Sequence, residues 1–134
     1  MIFIDSSVYV AFYNKDDSQH QKAVGVLEKV ASGNFGNEVT SDYVFDETVT
    51  VTLSRTKDKK TAINAGSHIL ESTHLLDVHG HVFDASWKLF KENDDGLSFT
   101  DSSAIALMNL FNIEHIATFD RAFKSIEGIK VVDS

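Results

Sequence analysis

The sequence predicts an α/β fold around a mostly parallel sheet. Short apolar runs alternate with longer segments of helical periodicity, the pattern of strands joined by helical crossovers. Acids stand directly after two of the short runs, at "IFID" and "ATFD", where ligand sites of such sheets form. The chain has 134 residues, an ordinary domain length. A chain of that length can bury roughly two-thirds of the surface its unfolded form exposes. Residues 1–134 therefore read as a single domain.

The elements follow in order. "IFI" is a first strand, and "SSVYVAFYN" is a helix. "DDSQHQKAVGVLEKVASG" is a second helix, with Ala23, Val26, Leu27 and Val30 on one face and "SGNFGN" ending it. "EVTSDYV" begins with a short strand. "DYVFDETVTVTL" is ambiguous. Tyr43, Phe45, Val49, Val51 and Leu53 alternate as in a strand, and the Val and Thr content agrees. A helix would instead align Val44, Glu47, Thr48 and Val51. "KDKKTAINAGSHILEST" is helical, with Ala62, Ile63, Gly66, Ile69 and Leu70 on one side. "HLLDV" is a strand. "HVFDASWKLFKEN" is a helix with Val82, Phe83, Trp87 and Phe90 aligned, of which Trp87 and Phe90 read as core rather than as a base-stacking platform. "LSFTDSSAIALMNLF" is a helix, "HIATF" a strand, "RAFKS" a helical turn and "IKVV" the last strand.

Composition excludes several classes of protein. There is no cysteine, so disulfide frameworks, thiol nucleophiles and thiolate metal sites are out; that usage fits a cytoplasmic location. "MIFID" is no signal peptide. The longest apolar run, "VYVAFY", is far below the roughly 18 residues a membrane span needs, so a soluble protein with no membrane association is expected. The net charge is −8, most of it in the second half. That disfavours broad, charge-driven nucleic-acid binding but not an enzyme whose acids hold metal ions. "RTKDKK" reads as a solvated helix end or loop. His79 and His81 read as surface residues at a helix start, and Ser6 and Ser7 lack the base a serine nucleophile needs.

Three acids are singled out by position. Asp5 and Asp120 fall at the carboxyl edge of the sheet. Asp101 tops the apolar stripe of Ala104, Ile105 and Met108. Ser98 and Asp101 are also spaced as a capping box, so a cap role competes with a site role. Carboxylates gathered at one edge repel one another unless a cation joins them. Oxygen clusters of this kind suit Mg²⁺ or Mn²⁺, and the chemistry that follows is metal-assisted phosphodiester hydrolysis.

Four segments, "IFIDSSVYVAFYNKDDSQH", "VTSDYVFDETVTVTLSR", "GLSFTDSSAIALM" and "IATFDRAF", resemble in order the acidic motifs of PIN-domain ribonucleases. The VapC-type toxins of toxin–antitoxin pairs are the most similar branch. The resemblance spans nearly the whole chain. It implies a three-layer α/β/α sandwich and an RNA endonuclease dependent on Mg²⁺ or Mn²⁺. Its catalytic and metal-binding acids would be Asp5, Glu47, Asp101 and Asp120, with the hydroxyls of Ser6 and Thr118 in support. It also implies a cognate antitoxin and a homodimer, and it places Glu47 on a helix, against the alternation noted above. A PIN-like module that binds protein or RNA without cutting is the competing expectation.

Overall fold

The computed structural model describes residues 1–134. β1 (Ile2–Ile4), β2 (Glu38–Ser41), β3 (His74–Leu76), β4 (His115–Ala117) and β5 (Lys130–Val132) form one sheet in the order β3-β2-β1-β4-β5. Every pairing is parallel. Parallel strands need long crossovers. These are α1 (Ser6–Tyr13) with α2 (His20–Ala31), α3 (Asp42–Thr56) with α4 (Lys59–Ser72), α5 (Gly80–Glu92) with α6 (Phe99–Phe111), and a short 3₁₀ helix, Arg121–Ser125. Right-handed crossovers send the chain outward over one face from β1 to β3, then back over the other to β4. Helices α1–α4 cover the first face and α5–α6 the second, as the α/β/α sandwich requires.

β1 is central, and Ile2, Phe3 and Ile4 are fully buried. An unbroken apolar triplet is what a strand covered on both faces requires. Its ladder to β4 pairs Ile2 with His115 and Ile4 with Ala117. One further bond continues it, from the Asp5 amide to the Ala117 carbonyl at 3.0 Å. The chain leaves β1 toward β2 on one side, while β4 lies on the other. The reversal between β1 and β4 is the crevice where open α/β sheets bind ligands.

The ambiguous segment is a helix. Ser41 ends β2 and caps α3 at once, its hydroxyl accepting the Val44 amide at 3.1 Å. Val44, Thr48 and Thr52 form the buried stripe. Local Val and Thr preference is weak against such packing, although it has a cost: the Thr48 and Thr52 hydroxyls are buried without partners. On another flank of α3, Phe45 and Val49 meet Gly66 of α4. A β-carbon at Gly66 would lie 3.2 Å from Val49 Cγ2 and 3.3 Å from Phe45 Cζ. This close approach fixes the rotation of α3, and with it the direction of Glu47, two residues from each contact.

Two assignments of apolar faces are corrected by the structure. In α4 the buried stripe is Ala62, Ala65, Gly66 and Ile69, and Ile63 and Leu70 are exposed. In α5 the inward row is half-buried Val82, buried Ser86 and half-buried Leu89. Trp87 and Phe90, expected in the core, lie on an exposed face with Phe83, packed against Phe99, with Trp87 49% exposed. Helical spacing shows that these aromatics share a face but not which face meets the sheet, and α5 carries two neighbouring apolar stripes.

Candidate active site

The carboxyl ends of β1 and β4, the first turn of α6 and the middle of α3 converge on one cleft of about 540 Å³. Asp5, Glu47, Asp101 and Asp120 all line it. Four acids separated by up to 115 positions in the chain thus face one space. Ser6 lines it as well, and Thr118 is buried immediately behind. Asp77 is exposed past the end of β3, and Asp46 is exposed on α3.

Asp5 occupies the N-cap position of α1 without making a side-chain cap. It is 3% exposed. Its Oδ2 accepts from Thr118 Oγ1 at 2.7 Å and from Ser7 Oγ at 2.9 Å. Burial pushes its carboxyl above the usual range; the Thr118 and Ser7 hydroxyls oppose this, and the Glu47 charge adds to it. Thr118 Oγ1 also accepts the Asp120 amide at 3.0 Å, and Ser7 Oγ accepts the Phe119 amide at 3.0 Å. Two hydroxyls therefore tie the ends of β1 and β4 together around one carboxylate.

Ser6 turns elsewhere: its hydroxyl donates to Glu47 Oε1, bridging α1 to α3. Asp120 is the N-cap of the 3₁₀ helix and accepts the Ala122 amide at 2.9 Å. Asp101 does two things. It completes a capping box, accepting the Ser98 amide at 2.9 Å while Ser98 Oγ accepts the Asp101 amide at 3.0 Å. It also lies in the cleft, 8% exposed. Burial raises its carboxyl to about 6; the Ser98 amide opposes the shift, and the Asp5 and Asp120 charges add to it. One first turn thus caps α6, with Ser98 as its N-cap, and places a carboxylate in the cleft.

Other lining residues were not singled out from the sequence. Ser7 is one, although "DSS" displays it beside Ser6. A sequence cannot tell which of two adjacent helical hydroxyls turns toward Asp5. Asp17, Gln19 and Arg55 line the cleft too. Arg55 is the one basic residue there, and it pairs with Asp17 at 3.7 Å. "RTKDKK" is otherwise the expected solvated junction between α3 and α4.

A divalent cation fits this donor set. Buried and half-buried carboxylates share a cleft whose single cation is already paired, so their mutual repulsion is uncompensated. No three acids close to the spacing of a finished coordination shell. A hydrated Mg²⁺ retains several waters and takes one or two carboxylates directly, so open spacing suits it. The raised acids have a consequence for stability. A carboxyl whose folded pKa exceeds its unfolded value binds its proton more tightly in the native state. Its favourable contribution is therefore present below about pH 4 and is lost as pH rises through about 6. Asp101→Asn should raise the Tm of the metal-free protein at pH 7.5 and by about half as much at pH 5. Discounted for solvent in the open cleft, the gain is about 1–2 kcal/mol, or roughly 3–10 °C. An equal gain at both pH values in thermal melts would exclude this cause.

Comparison with known proteins gives a consistent result. The model of the PIN domain family matches residues 2–129. The 23S rRNA-specific endonuclease VapC20 of Mycobacterium tuberculosis is 26% identical over 133 residues, covering 98% of each chain. Its crystal structure, described as a sarcin-ricin loop cleaving toxin, superposes with a TM-score of 0.80 at 24% identity, covering 93% of this chain and 94% of that one. VapBC2 from Rickettsia felis, bound to a DNA fragment from its promoter, matches with a TM-score of 0.67 at 20% identity over 98% of each chain. No helix is long and apolar enough to cross a membrane.

Proposed function

The chain belongs to the PIN-domain family, and on that premise we propose that it is a metal-dependent endoribonuclease, the toxin of a toxin–antitoxin pair. The observation that carries this is the cleft itself: Asp5, Glu47, Asp101 and Asp120 together in one space at the β1–β4 crevice. Asp5, Asp101 and Asp120 would hold Mg²⁺ or Mn²⁺, with Glu47 completing the acidic wall. Such a cation supplies the Lewis acidity that makes water a nucleophile and steadies the departing oxygen.

The chain's own groups do the rest. The Thr118 and Ser7 hydroxyls favour the ionised form of Asp5 and oppose part of the effect of its burial. The Ser6 hydroxyl fixes Glu47 toward the cleft. The capping box holds Asp101 in the first turn of α6. Arg55, at the rim, is a cation that a phosphate could draw away from Asp17. The relative named for 23S rRNA makes a ribosomal RNA the first substrate to try.

The VapBC2 neighbour supports an antitoxin as partner. An apolar groove between α1, α2 and α4, floored by Phe12, Tyr13 and Leu27 and rimmed by Glu28, Glu38 and Glu71, suits a basic amphipathic segment of such a partner. A homodimer in the cytoplasm remains part of the proposal.

The test is incubation of the purified protein with total and ribosomal RNA, with Mg²⁺, with Mn²⁺ and with chelator. Cleavage is expected with either ion, absent in chelator, and restored by excess Mg²⁺. Undiminished cleavage in chelator would remove the metal from the mechanism. No cleavage under any condition would leave the non-catalytic binding module as the reading.

A further inference from the structure

The acidic cleft carries one side chain whose target the reading above leaves open. Glu47, Val51 and Arg55 all line the cleft, four residues apart on one face of α3. Two such steps along the helix root Arg55 about 12 Å from Glu47. Its guanidinium pairs with Asp17, at 3.7 Å, and with none of the four acids. Arg55 also lines a neighbouring polar pocket of about 400 Å³, beside Asn14, Lys15, Thr56 and Thr61, which none of the four acids reaches. One cation thus stands where two spaces meet, with the acids in the first and a lysine in the second.

An arginine near a helix end complements the helix dipole, and Arg55 lies in the last turn of α3. That role asks nothing of the cleft. The pair with Asp17 is longer than a hydrogen bond, and the arginine side chain is 60% exposed, so the pair adds little to stability. It leaves the planar fork of guanidinium donors open to a second anion.

We propose that Arg55 holds a backbone phosphate beside the bond that is cut, not the phosphate that reacts, and so sets which part of the strand lies over the acids. The proposal rests on the ribonuclease reading and adds the substrate contact that fixes register. The reacting phosphate belongs where the four acids converge. A cation rooted about 12 Å from Glu47, paired away from the acids and opening on the second pocket, meets the strand further along. Such a contact reads backbone and not base, and it positions the strand. The net charge of −8 repels a polyphosphate. Few phosphates are therefore engaged, the salt dependence is shallow, and the loss of one contact is felt.

The probe is a synthetic oligoribonucleotide spanning the cut mapped in ribosomal RNA, with Mg²⁺ present. Arg55→Ala should raise KM roughly tenfold, with kcat within about twofold. The slope of log KM against log salt should fall by roughly 0.7, the share of one single-strand phosphate. Arg55→Lys should recover part of the affinity. Lys130→Ala removes the same charge at the start of β5, the amino edge of the sheet, and should leave KM unchanged. A neutral methylphosphonate at one flanking position should raise the wild-type KM by the same factor and add nothing to Arg55→Ala.

An unchanged KM in Arg55→Ala overturns the assignment. So does an equal rise in Lys130→Ala, which would make the effect one of net charge. A methylphosphonate penalty that adds to Arg55→Ala at every flanking position also overturns it; the arginine would then act on the α1–α2 loop through Asp17. Absence of cleavage by the wild type is a separate result, which would sink the ribonuclease reading and this proposal with it.

Discussion

Asp5→Asn is expected to leave a folded protein whose RNA cleavage is slower by roughly 10²–10³-fold or more, the range found when one preorganised electrostatic group is removed from a site. Asp5 lies where β1 ends, it is 3% exposed, and two hydroxyls hold its Oδ2. Asparagine has the same shape, and its carbonyl oxygen can accept from both hydroxyls in place of Oδ2, but it carries no charge to attract a cation. The substitution also removes a carboxylate that burial already disfavours in its ionised form. The Tm at neutral pH in chelator should therefore not fall. Loss of function and retained or increased stability together are the signature of a group kept for chemistry rather than for folding. Cleavage at the wild-type rate would remove Asp5 from the site. Loss of cleavage with a large fall in Tm would mean that the acid serves the fold.

Thr118→Val should produce the second-largest effect, through Asp5 rather than by contact with substrate. Valine nearly matches threonine in shape but cannot donate to Asp5 Oδ2 or accept the Asp120 amide, the contacts now at 2.7 Å and 3.0 Å. Of the interactions opposing the burial of Asp5, the Thr118 hydrogen bond is the largest. Without it the Asp5 carboxyl should rise further, so the acid limb of the rate–pH profile moves to higher pH. We expect kcat to fall about 10–100-fold at pH 7 and to recover in part as pH rises. Stability should drop by about 1–3 kcal/mol, the cost of stranded polar groups. A rate loss that is uniform across pH would make Thr118 a packing residue only. Ser7→Ala supplies the comparison, since Ser7 makes the other hydroxyl contact to the same oxygen.

Much of the architecture can be read from the chain itself. The fully apolar "IFI" announces a central parallel strand, and the acids after "IFI" and "HIATF" announce the edge where the crevice forms. Asp101 above Ala104, Ile105 and Met108 is legible because helical periodicity is a property of the local sequence. Glu47 is less so. The alternation in "DYVFDETVTVTL" points to a strand, and only the likeness of its motif to PIN-domain ribonucleases argues for the helix that the structure contains. Ser41 is the local signal for that helix. It ends one strand and caps the next helix, and a cap outweighs a run of β-branched residues once the helix can bury Val44 and Thr48.

The α5 aromatics illustrate the opposite limit. The spacing of Phe83, Trp87 and Phe90 correctly predicts a shared face. It cannot say which of the two neighbouring stripes is the buried one, because that depends on how α5 packs in the tertiary structure.

The sequence by itself therefore determined the order of strands and helices outside α3, the strand-end positions of Asp5 and Asp120, and the inward placement of Asp101, because each follows from chain-local periodicity and capping. Only the tertiary structure decided that Ser7 rather than Ser6 supports Asp5, that Ser6 bridges to Glu47, and that Trp87 faces solvent. Those outcomes depend on contacts between residues as many as 112 positions apart, set by sheet order and helix packing rather than by any residue's neighbours in the chain.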